Sequence, residues 1–275
     1  NIINYGGSMG EGFYDNFEQE ENVSVSDEIV GIFTEPTNIF SKIKNRGVKT
    51  VDWLLPILIF AIVVSIINFL SLNDPEIRMQ IQEKQMTKIE KNFQTLVENG
   101  TMTQEQADQQ IDKISSQMDE QFEKGKWIQF ISTILVTFVL VLFLAGFFML
   151  VIKFGFKGSG TFKDALVAYG LPYYVLTLGY IIVGLLMFLL GRPLNSLSLA
   201  ALLNVDTSSL TGVLLAKLDI IGIWFYALIG IGFAKMFNVK SVTKVVAWIF
   251  IIWIGFAILL YFAGQAFPFL RLFGF

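Results

Sequence analysis

The chain has 275 residues, a net charge of −3, 54% hydrophobic residues and only 16% charged ones, with a mean hydropathy of +0.60. A soluble domain carries about a quarter charged residues, so this composition excludes an ordinary soluble fold, and the acidic balance argues against a nucleic-acid partner. With no Cys and no His, disulfides, thiolate nucleophiles, haem ligation, His-based triads and most zinc sites are excluded too.

Residues 1–24 form an acidic, Gly-bearing stretch without a basic residue, expected to be a disordered cytosolic tail. It lacks the basic-then-apolar layout of a cleavable signal, so insertion is expected to rest on the spans themselves. Residues 25–50 read as amphipathic interfacial helices. One starts near Ser24 and Ser26, with Asp27 and Glu28 at its positive end; Pro36 interrupts it and opens a second that carries Ile39, Phe40 and Ile43 on one face. Lys42, Lys44, Arg46 and Lys49 flank that face, as in segments that lie on the cytosolic membrane surface.

A first span covers 51–72, and residues 73–126 then turn polar, with seven basic and eleven acidic residues. Ile77, Ile81, Ile89, Phe93 and Leu96 recur at helical spacing, as do Ala107, Ile111, Ile114, Met118 and Phe122. Between the two sets, Asn99-Gly100 is a helix stop, and Thr103 with Gln106 reads as a capping box. The segment is expected to be an outer-side αα-hairpin whose arms bury one stripe against each other.

A second span follows at 127–152, then a short turn, then a third span at 165–190 that Pro172 should kink. Residues 191–217, broken by Pro193, Asn195, Asp206 and Gly212, read as outer interfacial helices. A fourth span covers 218–237, with Gly230 and Ala234 permitting close helix approach. A fifth covers 245–264, and an outer aromatic tail, 265–275, closes the chain. The fold class is therefore an all-α membrane protein of five transmembrane helices, with an extramembrane helical hairpin between spans one and two. Short-loop Lys and Arg bias sets the orientation. Segments 42–49, 153–163 and 235–244 carry ten basic residues, against three (Arg192, Lys217, Arg271) on the other side. This puts the N-terminus in the cytosol and the hairpin and C-terminus outside.

Few residues invite a chemical role. The loop Gly155 to Thr161 is Gly-rich but lacks P-loop spacing and joins two spans, which reads as a turn with basic anchors. Asp219 is a candidate intramembrane polar site, either handling an ion or capping the fourth span. No cofactor motif, metal-ligand set or protease constellation is present, so no enzyme is expected. Asn22 and Asn99 head glycosylation sequons that matter only in a eukaryotic lumen.

Several motifs in order resemble the Yip domain family over about residues 28–265. These are Ile32-Phe33-Thr34-Glu35-Pro36 with Phe40 and Ile43; Gly160-Thr161-Phe162-Lys163-Asp164-Ala165-Leu166; and Leu218-Asp219-Ile220-Ile221-Gly222-Ile223-Trp224 with Ile229-Gly230-Ile231-Gly232-Phe233. The resemblance implies a non-enzymatic membrane protein. Eukaryotic members are linked to Rab proteins; some prokaryotic members accompany ABC-type exporters. The long hairpin is similar to the prokaryotic branch, which points to a bacterial cytoplasmic membrane. The leading expectation is an accessory or scaffold protein that binds the lipid bilayer and a membrane-protein partner such as an ABC-type exporter. Candidate partner-binding residues are Ile77, Ile81, Phe93, Ile111, Met118 and Phe122 of the hairpin and Phe267, Phe269 and Phe273 of the tail. A small transporter or channel near Asp219 is the alternative, and a Rab-linked trafficking adaptor a third.

Overall fold

Every regular element among the described residues is an α-helix, as the bilayer demands of a chain whose backbone groups must be satisfied without water. The computed structural model describes residues 23–267. The acidic stretch 1–22, with Asn22, and the tail residues Phe269 and Phe273 lie outside them.

The first two helices are α1 (Val25–Thr34) and α2 (Pro36–Arg46). Ser24 caps α1 in a reciprocal box with Asp27, and Pro36 opens α2 at the position where its missing N–H costs nothing. Their apolar face was expected to lie against the bilayer. It is instead part of the main core: Ile32, Ile39, Phe40 and Ile43 are buried there. The physical reason is a better partner. Phe40 fits against Gly232 and Ala168, where helix surfaces without bulk let the ring in.

Span α3 (Val51–Asn73) leads directly into α4 (Pro75–Glu98), with Asp74 accepting from the N–H groups of Glu76 and Ile77. A turn at Asn99–Thr103 then starts α5 (Gln104–Phe156), capped by the Thr103–Gln106 box. The helix α5 runs 53 residues without interruption, about 80 Å at 1.5 Å per residue. The hairpin's second arm and the second span are thus one rod. Polarity changes at Lys124–Gly125–Lys126 but the helix continues through it: a lone interior Gly costs only about 1 kcal/mol, too little to end a helix with good formers on both sides.

The third span is α6 (Phe162–Gly170) followed by α7 (Tyr173–Leu190), interrupted at Leu171-Pro172. Beyond Gly191 come two short helices, α8 (Leu199–Leu202) and α9 (Leu210–Lys217), and then α10 (Ile220–Met236) and α11 (Val242–Ala266). Four helical stretches are long and apolar enough to cross a membrane: Val51–Asn73, Lys124–Phe156, Phe162–Leu190 and Val242–Ala266. The 17 residues of α10 qualify only together with α9, from which α10 is bent by 66°.

The main core gathers α1, α2, α3, α5, α6, α7, α10 and α11 around Tyr169, Leu228, Ile229 and Phe233. Tyr169, Tyr173, Phe148, Phe225 and Phe233 form a chain of ring contacts through it. Helices α10 and α11 approach closely. A Cβ on Gly230 would stand 2.7 Å from Val246 Cα, a backbone atom that cannot swing aside. Gly230→Ala should therefore push these helices apart and cost about 1–3 kcal/mol. Thermal unfolding of the detergent-solubilised protein checks this, and an unchanged Tm would count against the packing described.

Candidate functional site

Three charged side chains meet where the N-terminal helices join the bundle, each placed by a helix end. Glu28 lies in the first turn of α1, and Asp52 in the first turn of α3, where the helix dipole favours an anion. Arg46 is the last residue of α2, where a cation is favoured. Gly47, with φ of +85°, then turns the chain so that Arg46 and Asp52 face each other across six residues. Arg46 Nη2 donates to Glu28 Oε1 at 2.7 Å and to Asp52 Oδ1 at 2.9 Å. The Lys49 N–H donates to Asp52 Oδ2 at 2.8 Å.

All three groups are buried: Glu28 is 1% exposed and Asp52 0%, and the Arg46 side chain is 7% exposed. One guanidinium thus serves two carboxylates in a site with little water. Burial, and then the charge of Asp52, push the Glu28 carboxyl up to about 8. Tyr174 of α7 lies within electrostatic reach of both carboxylates. Glu28 Oε2, Arg46 Nε and the Tyr174 hydroxyl find no hydrogen-bond partner among the described residues. An orphaned buried oxygen is costly on an anion and less so on a protonated acid, so geometry and charge agree on a proton at Glu28. The arrangement can take up or release a proton near neutral pH.

A second ionic tie stands beside it. Lys44 Nζ donates to Asp164 Oδ1 at 2.8 Å, while Asp164 and Thr161 cap α6 reciprocally. Together the two ties fasten α2 to α1, α3 and α6. The sequence offered little signal for the cluster. Glu28 read as a helix-start charge, Arg46 as one of the basic residues flanking an interfacial helix, and Asp52 was not singled out; only the fold reveals that they share one pocket.

The residues singled out by sequence are dispersed. Ile77 is buried against Val183, Met187 and Leu194 of α7 and the following loop, with Ile81 beside it. The base of the hairpin therefore packs on the bundle, where it was expected to pack only on its own second arm. Phe93 is buried with Leu96 and Ala107 at the hairpin tip, and Ile111 packs onto them. Both Ile77 and Phe93 are taken up inside the fold. Met118 and Phe122 are half-buried, and Phe267 is exposed. Asp219 caps α10, its Oδ1 accepting from the Ile221 and Gly222 N–H groups at 2.9 and 3.2 Å. Lys217 nearby lies over the Trp253 ring at 5.2 Å.

Two outcomes follow from the cluster. Glu28 holds its proton more tightly folded than unfolded. The stability that proton supplies is full below the ordinary value of 4.5 and is lost as pH rises through about 8. The Tm of the purified protein should fall over that window. Glu28→Gln should flatten the fall and be the more stable form above it; parallel curves for the two proteins would contradict the assignment. Arg46→Met, which strands two buried carboxylates, should cost about 3–5 kcal/mol in denaturant unfolding.

No curated protein and no solved structure matches the chain. The family model of the Yip1 domain matches residues 30–263. That range begins within α1, takes in Arg46, Asp52, the hairpin and α10, and ends within α11. With this match and its long apolar helices, the chain belongs to the Yip1 domain family and is an integral membrane protein.

Proposed function

We propose that the protein is a non-enzymatic accessory or scaffold subunit that presents its helical hairpin to another membrane complex, with an ABC-type exporter as the partner class. The observation that carries this reading is the way the hairpin is held. Its second arm continues into a span as α5. Its first arm is tied to the outer segment by Ile77, by Gln80 donating to the Gly191 carbonyl at 2.8 Å, and by Lys91 paired with Asp206 at 2.9 Å. The Ser208 hydroxyl and N–H and the Lys91 ammonium hold the Asp206 carboxyl well below its usual range, so this tie is ionised across the neutral range. A mere spacer gains nothing from being held in one direction; a docking arm does, because a fixed pose lowers the entropy lost on binding.

The setting of the proposal is a bacterial cytoplasmic membrane, with five crossings, the N-terminus cytosolic and the hairpin and C-terminus outside. Support for a crossing by α10 comes from its ends. Leu218, just before it, accepts from the N–H of Leu199 on the side where α7 ends. Phe237, just after it, accepts from the N–H of Ser159, next to the start of α6.

Both parts have direct tests. Because the chain has no Cys, single cysteines report sidedness cleanly. Asn99→Cys and Ser208→Cys should react with an impermeant maleimide on intact cells; Lys157→Cys and Lys240→Cys should react only after lysis. The reverse pattern would invert the orientation, and Ser208 and Lys240 sharing one side would remove the α10 crossing. For the partner, the intact chain should copurify with a stoichiometric membrane complex in mild detergent. A version with residues 88–115 replaced by a short Gly-Ser linker should insert but lose that complex. Equal recovery by both would end the docking-arm reading.

A further inference from the structure

Eight of the ten basic residues in segments 42–49, 153–163 and 235–244 fall into two sets. Lys44 and Arg46 are used inside the fold, on Asp164, Glu28 and Asp52. The side chains of Lys153, Lys157, Lys163, Lys235, Lys240 and Lys244 make no hydrogen bond or ion pair with any described residue. All but Lys235 are exposed. Neither 153–163 nor 235–244 contains an acidic residue, so nothing within these segments offsets the charge.

The two segments are stacked into one corner. The Ser159 N–H donates to the Phe237 carbonyl at 2.8 Å, and Asn238 Nδ2 donates to Ser159 Oγ at 3.2 Å. Gly158 sits directly against Phe237 and Val239. Lys157 and Lys240 therefore flank a shared contact, with Lys153 one helical turn before Lys157. Large apolar side chains stand open beside this corner: Phe154 is 83% exposed, and Phe162, lying along α5 at Gly146, is 41% exposed. Lysines and exposed rings close together in sequence fit an anion with a hydrocarbon body, since lysines near helix ends reach the headgroup level while rings stay among the chains.

We propose that this corner is a binding surface for the headgroup of an anionic phospholipid, centred on Lys153, Lys157 and Lys240, with Phe154 and Phe162 against its acyl chains. The inference goes beyond the scaffold reading and stands without it. It also does not depend on which side of the membrane the corner faces.

The test titrates phosphatidylglycerol or phosphatidylcholine into the full chain in a neutral detergent, with bound lipid counted by native mass spectrometry. Phosphatidylglycerol should bind the more tightly, and added salt should weaken it. The triple variant Lys153→Gln/Lys157→Gln/Lys240→Gln should lose about 100-fold in affinity, or about five-fold per charge removed. A matched variant at the hairpin, Lys84→Gln/Lys88→Gln/Lys113→Gln, should bind as the parent does. These lysines are exposed, so both variants should keep the parent's Tm. Equal binding of the two lipids, an unaffected corner variant, or an equal loss in the hairpin variant would each overturn the proposal. So would full displacement of the lipid by millimolar inorganic phosphate, which would make this a site for a soluble anion.

Discussion

Arg46 is the last residue of one helix and holds the first turns of two others. Its single Nη2 reaches both Glu28 and Asp52, and this decides where the N-terminal helices can sit. Once α2 is fixed at that end, Phe40 meets Gly232 and Lys44 meets Asp164, so α10 and α6 take their places against it. A buried ion cluster of this kind is weak as a source of net stability, since desolvation consumes most of the attraction. What it supplies is register. Few other positions of α1 and α2 would satisfy a guanidinium and two carboxyls together, whereas an apolar face alone could slide.

The same end of the molecule divides its charge in a useful way. The neutral form of the Glu28–Arg46–Asp52 cluster is the one with a proton on Glu28, so the interior there carries little net charge at neutral pH. The lysines outside keep theirs. A basic rim over a neutral, apolar interior is the arrangement that a lipid headgroup layer accepts at low cost, and it explains why so many unneutralised cations can stand close together at the bundle's edge.

Much of the fold was legible from residue patterns, for reasons that differ by element. The caps at Ser24 and Thr103 and the helix opened by Pro36 are local, so the sequence needs no tertiary knowledge to state them. The break at Pro172 is local too. The apolar stretches are legible because the bilayer imposes length as well as composition. What escaped were the features set by partners distant in sequence. Ile77 has the spacing of a hairpin seam, yet α7 offered it a deeper site. The apolar face of α2 looked like a membrane-surface stripe because its complement, Ala168 and Gly232, lies more than a hundred residues on. The change of polarity at Trp127 marks where the second span begins, but it does not say that hairpin arm and span are one helix, since a helix has no obligation to end where its solvent changes.

The unbroken course of α5 has a consequence for how such a protein can change in length. In a rigid helix each added residue turns everything beyond it by about 100°. One residue inserted near Gly125 would therefore swing the hairpin around the rod's axis, pulling Lys91 away from Asp206 and Gln80 from Gly191. Seven residues would nearly restore the angle, leaving a lag of about 20°, but would lift the tip by about 10 Å. The first arm would then have to lengthen in step to keep its footing on α7. The hairpin can be made taller or shorter only in whole double turns taken by both arms, so its height is quantised by the geometry of the helix that carries it.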